Sequence, residues 1–195
     1  VYAVAPTNII YNIANNFIFN NLSDLKTDNI KEYDLAPAAQ IGQVKEKLAE
    51  IYGDENLKFD VVIGNPPYQD ESIGNSTSAP PIYHKFMDEA YKIANKVELI
   101  TPARFLFNAG ATGKAWNEKM LNDEHLKVLY YEPDRAKVFP NTTITGGVAV
   151  TLRDSQNSFG KIGNFIAFKE LDSIIEKVWE NTSASLKTII NVQSK

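Results

Sequence analysis

The stretch FDVVIGNPPYQD, residues 59–70, decides the fold prediction. Residues 59–63 form an apolar run of strand length, which ends at the sequence Gly-Asn-Pro-Pro-Tyr. Proline has a fixed φ and no backbone N–H, and it pushes the residue before it towards an extended conformation, so two prolines in succession end regular structure. The pattern therefore predicts a buried strand, followed by a rigid turn that carries a side-chain amide and an aromatic ring.

Strand-like and helix-like segments alternate on both sides of this stretch. Thr7 is a candidate cap for the first helix, and Gly53 is a candidate end for the second. The predicted helices cover residues 9–18, 42–52, 82–94, 113–122 and 170–181. The predicted strands cover residues 1–4, 29–31, 59–63, 97–100, 126–131 and 148–152. This alternation is typical of an α/β fold with a doubly wound, mostly parallel sheet, and the last two strands predict an antiparallel strand at one edge.

The amino-acid composition of the chain changes at two places. Residues 70–81 are polar and rich in Gly, Ser and Pro, and we expect a mobile loop there. After residue 154 a linker-like segment, SQNSFGKIG, precedes the last predicted helix. We therefore expect one domain over residues 1–154, and a linker with the start of a second region over residues 155–195.

The composition excludes several kinds of site. The 195 residues include no cysteine and only two histidines, which excludes zinc thiolate centres and cysteine nucleophiles and argues against a bound metal. The net charge is −4, so a local basic patch or another segment would have to bind the phosphates of a nucleic acid. No apolar run reaches the length of a membrane span, so we expect no membrane contact and a location in the cytoplasm.

The turn at residues 65–68 lies where doubly wound sheets bind ligands, at the carboxyl end of a strand. An exocyclic amino group on a nucleobase is a weak nucleophile, because its lone pair is delocalised into the ring. Two acceptors aimed at its two N–H bonds would free that lone pair. The Asn65 side-chain oxygen is one acceptor, and the Pro66 carbonyl, held in place by Pro67, is the second. Tyr68 supplies a flat face on which the base can stack.

Such chemistry depends on positioning and on aimed dipoles, without a covalent intermediate. A base in a duplex would have to be flipped out to reach the turn. The same tetrapeptide can also be no more than a turn after a strand, because short motifs often occur by chance.

Four segments carry a family resemblance: FDVVIGNPPYQ at residues 59–69, and residues 82–108, 127–154 and 170–178. The first resembles the catalytic motif of amino-methyltransferases that use S-adenosylmethionine. With the other three, the chain looks like the DNA adenine-N6 methylases of restriction–modification systems, especially the large fused type. The resemblance implies a Rossmann-like methyltransferase fold, S-adenosylmethionine as cofactor, double-stranded DNA as partner, and methylation of the N6 amino group of a flipped adenine by a site-specific enzyme. It also implies that residues 155–195 lead into the target-recognition region.

The resemblance assigns roles to individual residues. Asn65, Pro66 and Tyr68 would hold the adenine, with Pro67 completing the catalytic motif. Asp34 matches the acidic residue that meets the amino group of the cofactor's adenine, although a loop aspartate is also a common turn former or helix cap. Phe105 could help to close the base pocket, and the alternative for this residue is ordinary core packing.

The sequence departs from the family pattern at the cofactor site. The glycine-rich loop on the first strand would precede Val1, and the acidic residue that grips the cofactor ribose would fall near Ala5. We therefore interpret the chain as a fragment that lacks the first strand. We expect it to bind the cofactor weakly or not at all by itself, and to depend on the rest of the parent protein or on a specificity region.

Three alternatives stay open at this point. Enzymes that methylate a glutamine amide in a protein release factor use the same tetrapeptide on the same fold, because a glutamine amide presents the same planar NH2 group. Cytosine N4 presents an equivalent amino group. Lastly, the chain could be a non-catalytic remnant or DNA-binding module that has kept the fold and lost the cofactor site.

Overall fold

The structure, a computed structural model, describes residues 1–19, 28–70, 79–140 and 144–181. The strands in these ranges are β1 (Ala3–Ala5), β2 (Ile30–Glu32), β3 (Phe59–Gly64), β4 (Ala94–Pro102), β5 (Leu126–Glu132) and β6 (Val148–Asp154). The helices are α1 (Asn8–Ile13), α2 (Ala36–Gln40), α3 (Val44–Tyr52), α4 (Tyr83–Ile93), α5 (Lys114–Leu121) and α6 (Asp172–Asn181). A π-helical segment, Ala14–Phe19, follows α1. None of the described helices is long and apolar enough to cross a bilayer.

Four strands form the larger sheet, in the order β3-β4-β6-β5. β3 is parallel to β4, whereas β6 is antiparallel to both of its neighbours. The predicted α/β class is confirmed, and so is the antiparallel pairing of the last two strands. This antiparallel pair lies at one edge of the sheet, with β5 outermost and β6 between β4 and β5.

β1 and β2 form a separate parallel pair. The Tyr52 hydroxyl, at the end of α3, donates a hydrogen bond to the Ala3 carbonyl over 3.0 Å. The Tyr2 ring packs edge-on against the rings of Tyr52 and Phe59, with centroid distances of 4.8 and 5.4 Å. Side chains from α3 and from the start of β3 therefore anchor the two-stranded sheet.

Helix ends follow local chemistry that the sequence displays. The Thr7 hydroxyl accepts a hydrogen bond from the Ile10 N–H and caps α1, as predicted. Gly53 ends α3 in the left-handed conformation with φ of 71°, also as predicted, because glycine adopts positive φ without a steric penalty. The short helix α2 was not predicted, since Pro37 near its start and its five residues give little periodic signal.

The core consists of two clusters. The larger one lies around β4, α4 and α5, and its fully buried side chains include Met87, Phe105, Leu106, Met120 and Leu126. The smaller one joins α2 and α3 through Ala39, Val44 and Leu48, and Phe59 and Val62 of β3 pack against both clusters. One face of β3, the face that carries Phe59 and Val62, therefore packs against both core clusters.

The prediction of a buried strand at residues 59–63 was correct for the strand and wrong for its burial. Val61 is 52% exposed and Ile63 is 76% exposed. Within the described residues, β3 pairs with β4 on one side only. An apolar run alone does not distinguish an inner strand from an edge strand, because both need hydrophobic side chains for the face that is covered. The predicted mobile loop at residues 70–81 falls mostly on residues 71–78, which lie outside the described residues.

Candidate active site

The predicted motif lies at the carboxyl end of β3. Gly64, the last residue of β3, is level with Leu99 of the parallel strand β4, so residues 65–68 follow at the same end of the sheet to which β4 runs. Asn65 is exposed and Pro66 is buried. Among the described residues, Asn65 makes no side-chain hydrogen bond, which leaves its amide available to a ligand. The buried first proline fixes the backbone beside that amide.

Tyr68 is half-buried and packs against the larger core cluster. Its hydroxyl is buried and has no hydrogen-bond partner among the described residues. Burial raises the pKa of Tyr68 to about 12, so the phenol is neutral near pH 7. The contribution of Tyr68 to a site is therefore its ring, because an unpaired buried hydroxyl contributes no favourable interaction.

A second aromatic ring meets Tyr68. The Phe139 ring, from the connection between β5 and β6, lies 6.1 Å from the Tyr68 ring at an interplanar angle of 72°. Sequence reasoning did not select Phe139 as a site residue, since only the fold brings these distant positions together. The segment around it, VFP, is one of the pieces that carry the family resemblance, and that is the signal that could have identified it.

The chain that leaves the motif is fixed by a short antiparallel bridge. The Ile82 N–H donates to the Tyr68 carbonyl over 3.1 Å, and the Asp70 N–H donates to the Pro80 carbonyl over 3.0 Å. Gln69 and Pro81 face each other between these two bonds. The backbone of Tyr68 is consequently held from both sides, by the buried Pro66 before it and by this bridge after it.

The Asp70 carboxylate connects the motif to α2. It is buried and accepts a hydrogen bond from the Gln40 side chain, and the Gln40 carbonyl accepts one from Lys85 Nζ over 3.1 Å. Gln40 is the last residue of α2, and Lys85 belongs to α4. Two helices thus hold the residue two positions after Tyr68. Sequence reasoning assigned no role to Asp70, because a polar residue at the start of a Gly/Ser-rich stretch is typical of a solvated turn.

The other two predicted site residues lie elsewhere. Asp34 is exposed just before α2, and its carboxylate accepts the Ala36 N–H over 2.9 Å, so one oxygen already serves the turn. No hydrogen bond joins Asp34 to the motif directly; α2 and the Gln40–Asp70 bond connect them. Phe105 is 0% exposed and packs on Trp116 in the core, at a centroid distance of 5.4 Å. We therefore leave Phe105 out of the candidate site, because a ring without exposed surface cannot contact a base.

The described residues also enclose a groove of about 530 Å³ on the helical side, next to Gln40 and Lys85. Most of the charges along it are already paired within the protein. The pairs are Lys92 with Glu89, Lys119 with Asp88, and Arg153 with Asp123. This groove therefore offers little unpaired charge to a ligand. No cluster of metal-ligating side chains is found in the described part of the chain.

Residues 1–139 match the family described as Eco57I restriction-modification methylase. The chain belongs to the Eco57I restriction-modification methylase family. The match covers both strands of the smaller sheet, the motif at residues 65–68 and Phe139, which is its last residue. The Eco57I-family match ends before β6, so the remaining residues are not assigned by it.

Individual relatives are more distant or shorter matches. An uncharacterized adenine-specific methylase of Mycoplasma pneumoniae is 30% identical over 95 residues, which cover 47% of this chain and 22% of that protein. The M protein of the type I restriction enzyme EcoKI is 14% identical and superposes with a TM-score of 0.49, over 84% of this chain and 33% of its own. A candidate S-adenosylmethionine-dependent methyltransferase from Streptococcus mutans is 16% identical and superposes with a TM-score of 0.40. The superposition covers 77% of this chain and 37% of that protein. This Eco57I-family chain thus spans about a fifth of the curated relative's length and about a third of each solved relative's length.

Proposed function

We propose that this chain is the catalytic segment of a site-specific DNA methyltransferase, which transfers a methyl group from S-adenosylmethionine to the N6 amino group of a flipped adenine. The observation that carries the proposal is the Asn65 amide at the carboxyl end of β3, three residues before Tyr68, where it is exposed and makes no hydrogen bond to any described residue. Membership of a restriction-modification methylase family supports DNA over a glutamine amide as the substrate.

In this proposal, the motif acts on the amino group through two acceptors. The Asn65 side-chain oxygen and the Pro66 carbonyl each accept one N–H of the adenine amino group. Drawing both hydrogens out favours a pyramidal nitrogen, so its lone pair is released from the ring and becomes nucleophilic. The buried ring of Pro66 and the bridge after Tyr68 hold the backbone of the motif, and with it the Pro66 carbonyl, in place, so little backbone reorganisation is needed when the base arrives.

The aromatic pair forms the rest of the adenine site. The Tyr68 ring stacks on the base, and Phe139, which meets Tyr68 edge-on, limits the opening from the side of the β5–β6 connection. Stacking of a base on an aromatic ring contributes about 1–3 kcal/mol, enough to offset much of the cost of unstacking one base.

For the cofactor, the described residues offer one candidate contact. Asp34 is exposed where β2 leads into α2, and its carboxylate fits the exocyclic amino group of the cofactor's adenine. S-adenosylmethionine, when bound, supplies the electrophilic methyl group. The 195 residues contain no Gly-x-Gly sequence, so we assign no residue to the ribose or the methionine part of the cofactor.

We further propose that the partner is double-stranded DNA, that residues 155–195 lead into a target-recognition region, and that the remainder of the protein or a specificity region completes the enzyme in the cytoplasm. The Mycoplasma pneumoniae relative supports a longer parent protein, since the matched segment covers only 22% of it.

The proposal is tested with the full-length protein, duplex DNA and S-adenosylmethionine, with N6-methyladenine measured by mass spectrometry. Asn65→Ala should lower the rate by about 100-fold or more, because it removes one of two aimed acceptors. Asn56→Ala is the matched control, since Asn56 is an exposed asparagine in the loop before β3. Full activity of Asn65→Ala, or a methylated product on cytosine N4 or on a glutamine amide, would contradict the proposal.

A further inference from the structure

The 3-10 turn Arg104–Phe107 follows β4 directly and divides its side chains between core and solvent. Phe105 and Leu106 are 0% and 1% exposed, whereas Arg104 is exposed and Phe107 is 43% exposed. Residues i and i+3 eclipse each other along a 3-10 helix. The turn therefore presents Arg104 and Phe107 together on its solvent side, with the intervening pair as its anchor in the core.

Two glycines hold the stem of Arg104. A Cβ at Gly146 would lie 2.4 Å from Arg104 Cγ, and one at Gly110 would lie 3.3 Å from Arg104 Cβ. Both glycines have positive φ, 86° and 99°. The backbone at Gly110 and Gly146 therefore lies closer to the aliphatic part of Arg104 than it could if either position carried a side chain. This close packing restricts the directions in which the guanidinium can point.

No carboxylate in the described part of the chain forms an ion pair with Arg104. The ion pairs of the described residues use Lys47, Lys92, Lys96, Lys119, Lys137 and Arg153, but not Arg104. A guanidinium whose stem is held while its head stays unpaired is suited to an external anion. Its planar fork of N–H donors matches two oxygens of a phosphate.

Arg104 lies at the same end of the sheet as the candidate active site. The Ala103 N–H donates to the Gly147 carbonyl over 3.0 Å, which joins the start of the turn to the start of β6. The β5–β6 connection therefore touches both places: Phe139 meets Tyr68, and Gly146 meets Arg104. One segment of chain spans the base site and the turn.

The ring of Phe107 is braced by two other rings. Tyr131 and Phe165 lie 5.7 and 5.4 Å from it, and 5.4 Å from each other, all edge-to-face. The three aromatic side chains form an apolar surface on the side of the turn that also presents Arg104. The part of Phe107 that stays exposed can cover a sugar or an unstacked base without losing much side-chain freedom.

We propose that Arg104 binds a backbone phosphate of the DNA next to the flipped adenine, and that Phe107 packs on the adjoining sugar or base. This inference rests on the proposed function and adds to it a grip on the strand outside the adenine site. A chain with a net charge of −4 has to bind phosphates through local cations, and Arg104 lies at the same end of the sheet as the adenine site.

The test of Arg104 measures DNA affinity of the full-length protein by fluorescence anisotropy, in salt from about 50 to about 200 mM. Losing one phosphate contact should make the slope of log K against log[salt] shallower by about 0.9, and should weaken target and non-target duplexes alike. We expect this of Arg104→Gln. Arg104→Lys should keep most of the slope with weaker binding, because it keeps the charge and loses the fork.

Lys58→Gln is the matched control for charge. Lys58 is exposed just before β3, at the opposite end of the same sheet, and its loss should leave the slope unchanged. Phe107→Ala should weaken binding by about 5- to 150-fold without changing the slope. Phe159→Ala is its control, since Phe159 is an exposed ring at the end of the sheet where β5 begins, and it should bind as the unchanged protein does.

The outcomes separate this inference from the proposed function. The phosphate contact would be overturned if the unchanged protein binds DNA and Arg104→Gln unfolds at the normal temperature but shows the same salt slope. The methyltransferase proposal would still stand in that case. Failure of the unchanged protein to bind any duplex would overturn both. Asn65→Ala should keep the full slope, so a loss of slope there would show that the salt dependence arises at the motif and not at Arg104.

Discussion

At the scale of the residue, Tyr68 combines a useful ring with a hydroxyl that has no partner. Replacing it with phenylalanine should leave methyl transfer within about threefold of the unchanged rate and leave stability equal or slightly higher, because the unpaired buried hydroxyl is removed with its desolvation cost. Replacing it with alanine should weaken binding of the adenine by about 1–3 kcal/mol through lost stacking. Transfer rates of the full-length protein, measured across DNA concentrations, check both variants.

Phe139→Ala serves as the comparison, since it removes the second ring and leaves the motif intact. If Tyr68→Phe lost activity as Tyr68→Ala does, the hydroxyl would have a role in the reaction that its burial without a partner does not indicate.

Individual residues differ in how far the sequence could identify them. Asn65 and Tyr68 could be selected because the tetrapeptide sits after an apolar run, and a local pattern is all that this inference needs. The sequence could not show that Phe105 is buried while Phe107 is exposed, because a short 3-10 turn changes which ring faces solvent within two positions and leaves no periodic trace. Phe139 and Asp70 escaped selection since their roles depend on contacts with residues that are distant in sequence.

At the scale of the element, the N-terminus of helix α3 is capped by a side chain from another helix, α4. Its N-cap residue, Gln43, makes no side-chain capping bond, and the Val44 N–H instead donates to Glu89 of α4 over 3.1 Å. Glu89 is 3% exposed and also pairs with Lys92. Glu89→Ala should lower the free energy of unfolding by about 1–3 kcal/mol, because it leaves a buried donor unpaired. Urea unfolding followed by circular dichroism measures the change.

Glu50→Ala is the control for that variant. The Glu50 carboxyl is 71% exposed and pairs with Lys47 one turn earlier, so its loss should cost about 0.5 kcal/mol or less. Equal losses for the two variants would mean that the buried cap at Val44 adds nothing to stability.

Element boundaries could be predicted where periodicity is strong. α4 and α5 begin and end within about two residues of the predicted bounds, because their apolar positions recur at helical spacing over two turns or more. The position of β6 between β4 and β5, and the exposure of β3, could not be predicted. Both depend on which strands become neighbours, and the pattern of one strand carries no information about its neighbours.

At the scale of the whole molecule, two buried carboxylates tie the ends of the β5–β6 pair. Asp154 accepts from the Asn157 side chain over 2.8 Å and from the Gln156 N–H over 3.0 Å, and these bonds lower its pKa below the ordinary 3.8. Glu132 accepts from the Asp134 N–H over 2.9 Å, which lowers its pKa below the ordinary 4.5. A carboxyl with a lowered folded-state pKa stabilises the fold fully above its unfolded-state pKa, and this contribution is lost as the pH falls through the folded-state value.

The stability of the protein should therefore decrease progressively below about pH 4.5. Asp154→Asn should flatten this decrease, because one of the two groups no longer takes up a proton on unfolding. Urea midpoints measured from neutral to acid pH test the expectation, with Glu55→Gln, which removes an exposed carboxylate, as the control. The expectation would be contradicted if the stability of Asp154→Asn decreased with falling pH as steeply as that of the unchanged protein.

The antiparallel bridge behind Tyr68 has a consequence for how this family varies. The backbones of residues 68–70 and 80–82 are hydrogen-bonded to each other, so the chain that connects them begins and ends at adjoining points. The entropy of closing such an excursion grows only slowly with its length. Insertions and deletions between residues 70 and 80 should therefore leave residues 65–68 in place, so the length of this connection can change in evolution without moving the candidate site.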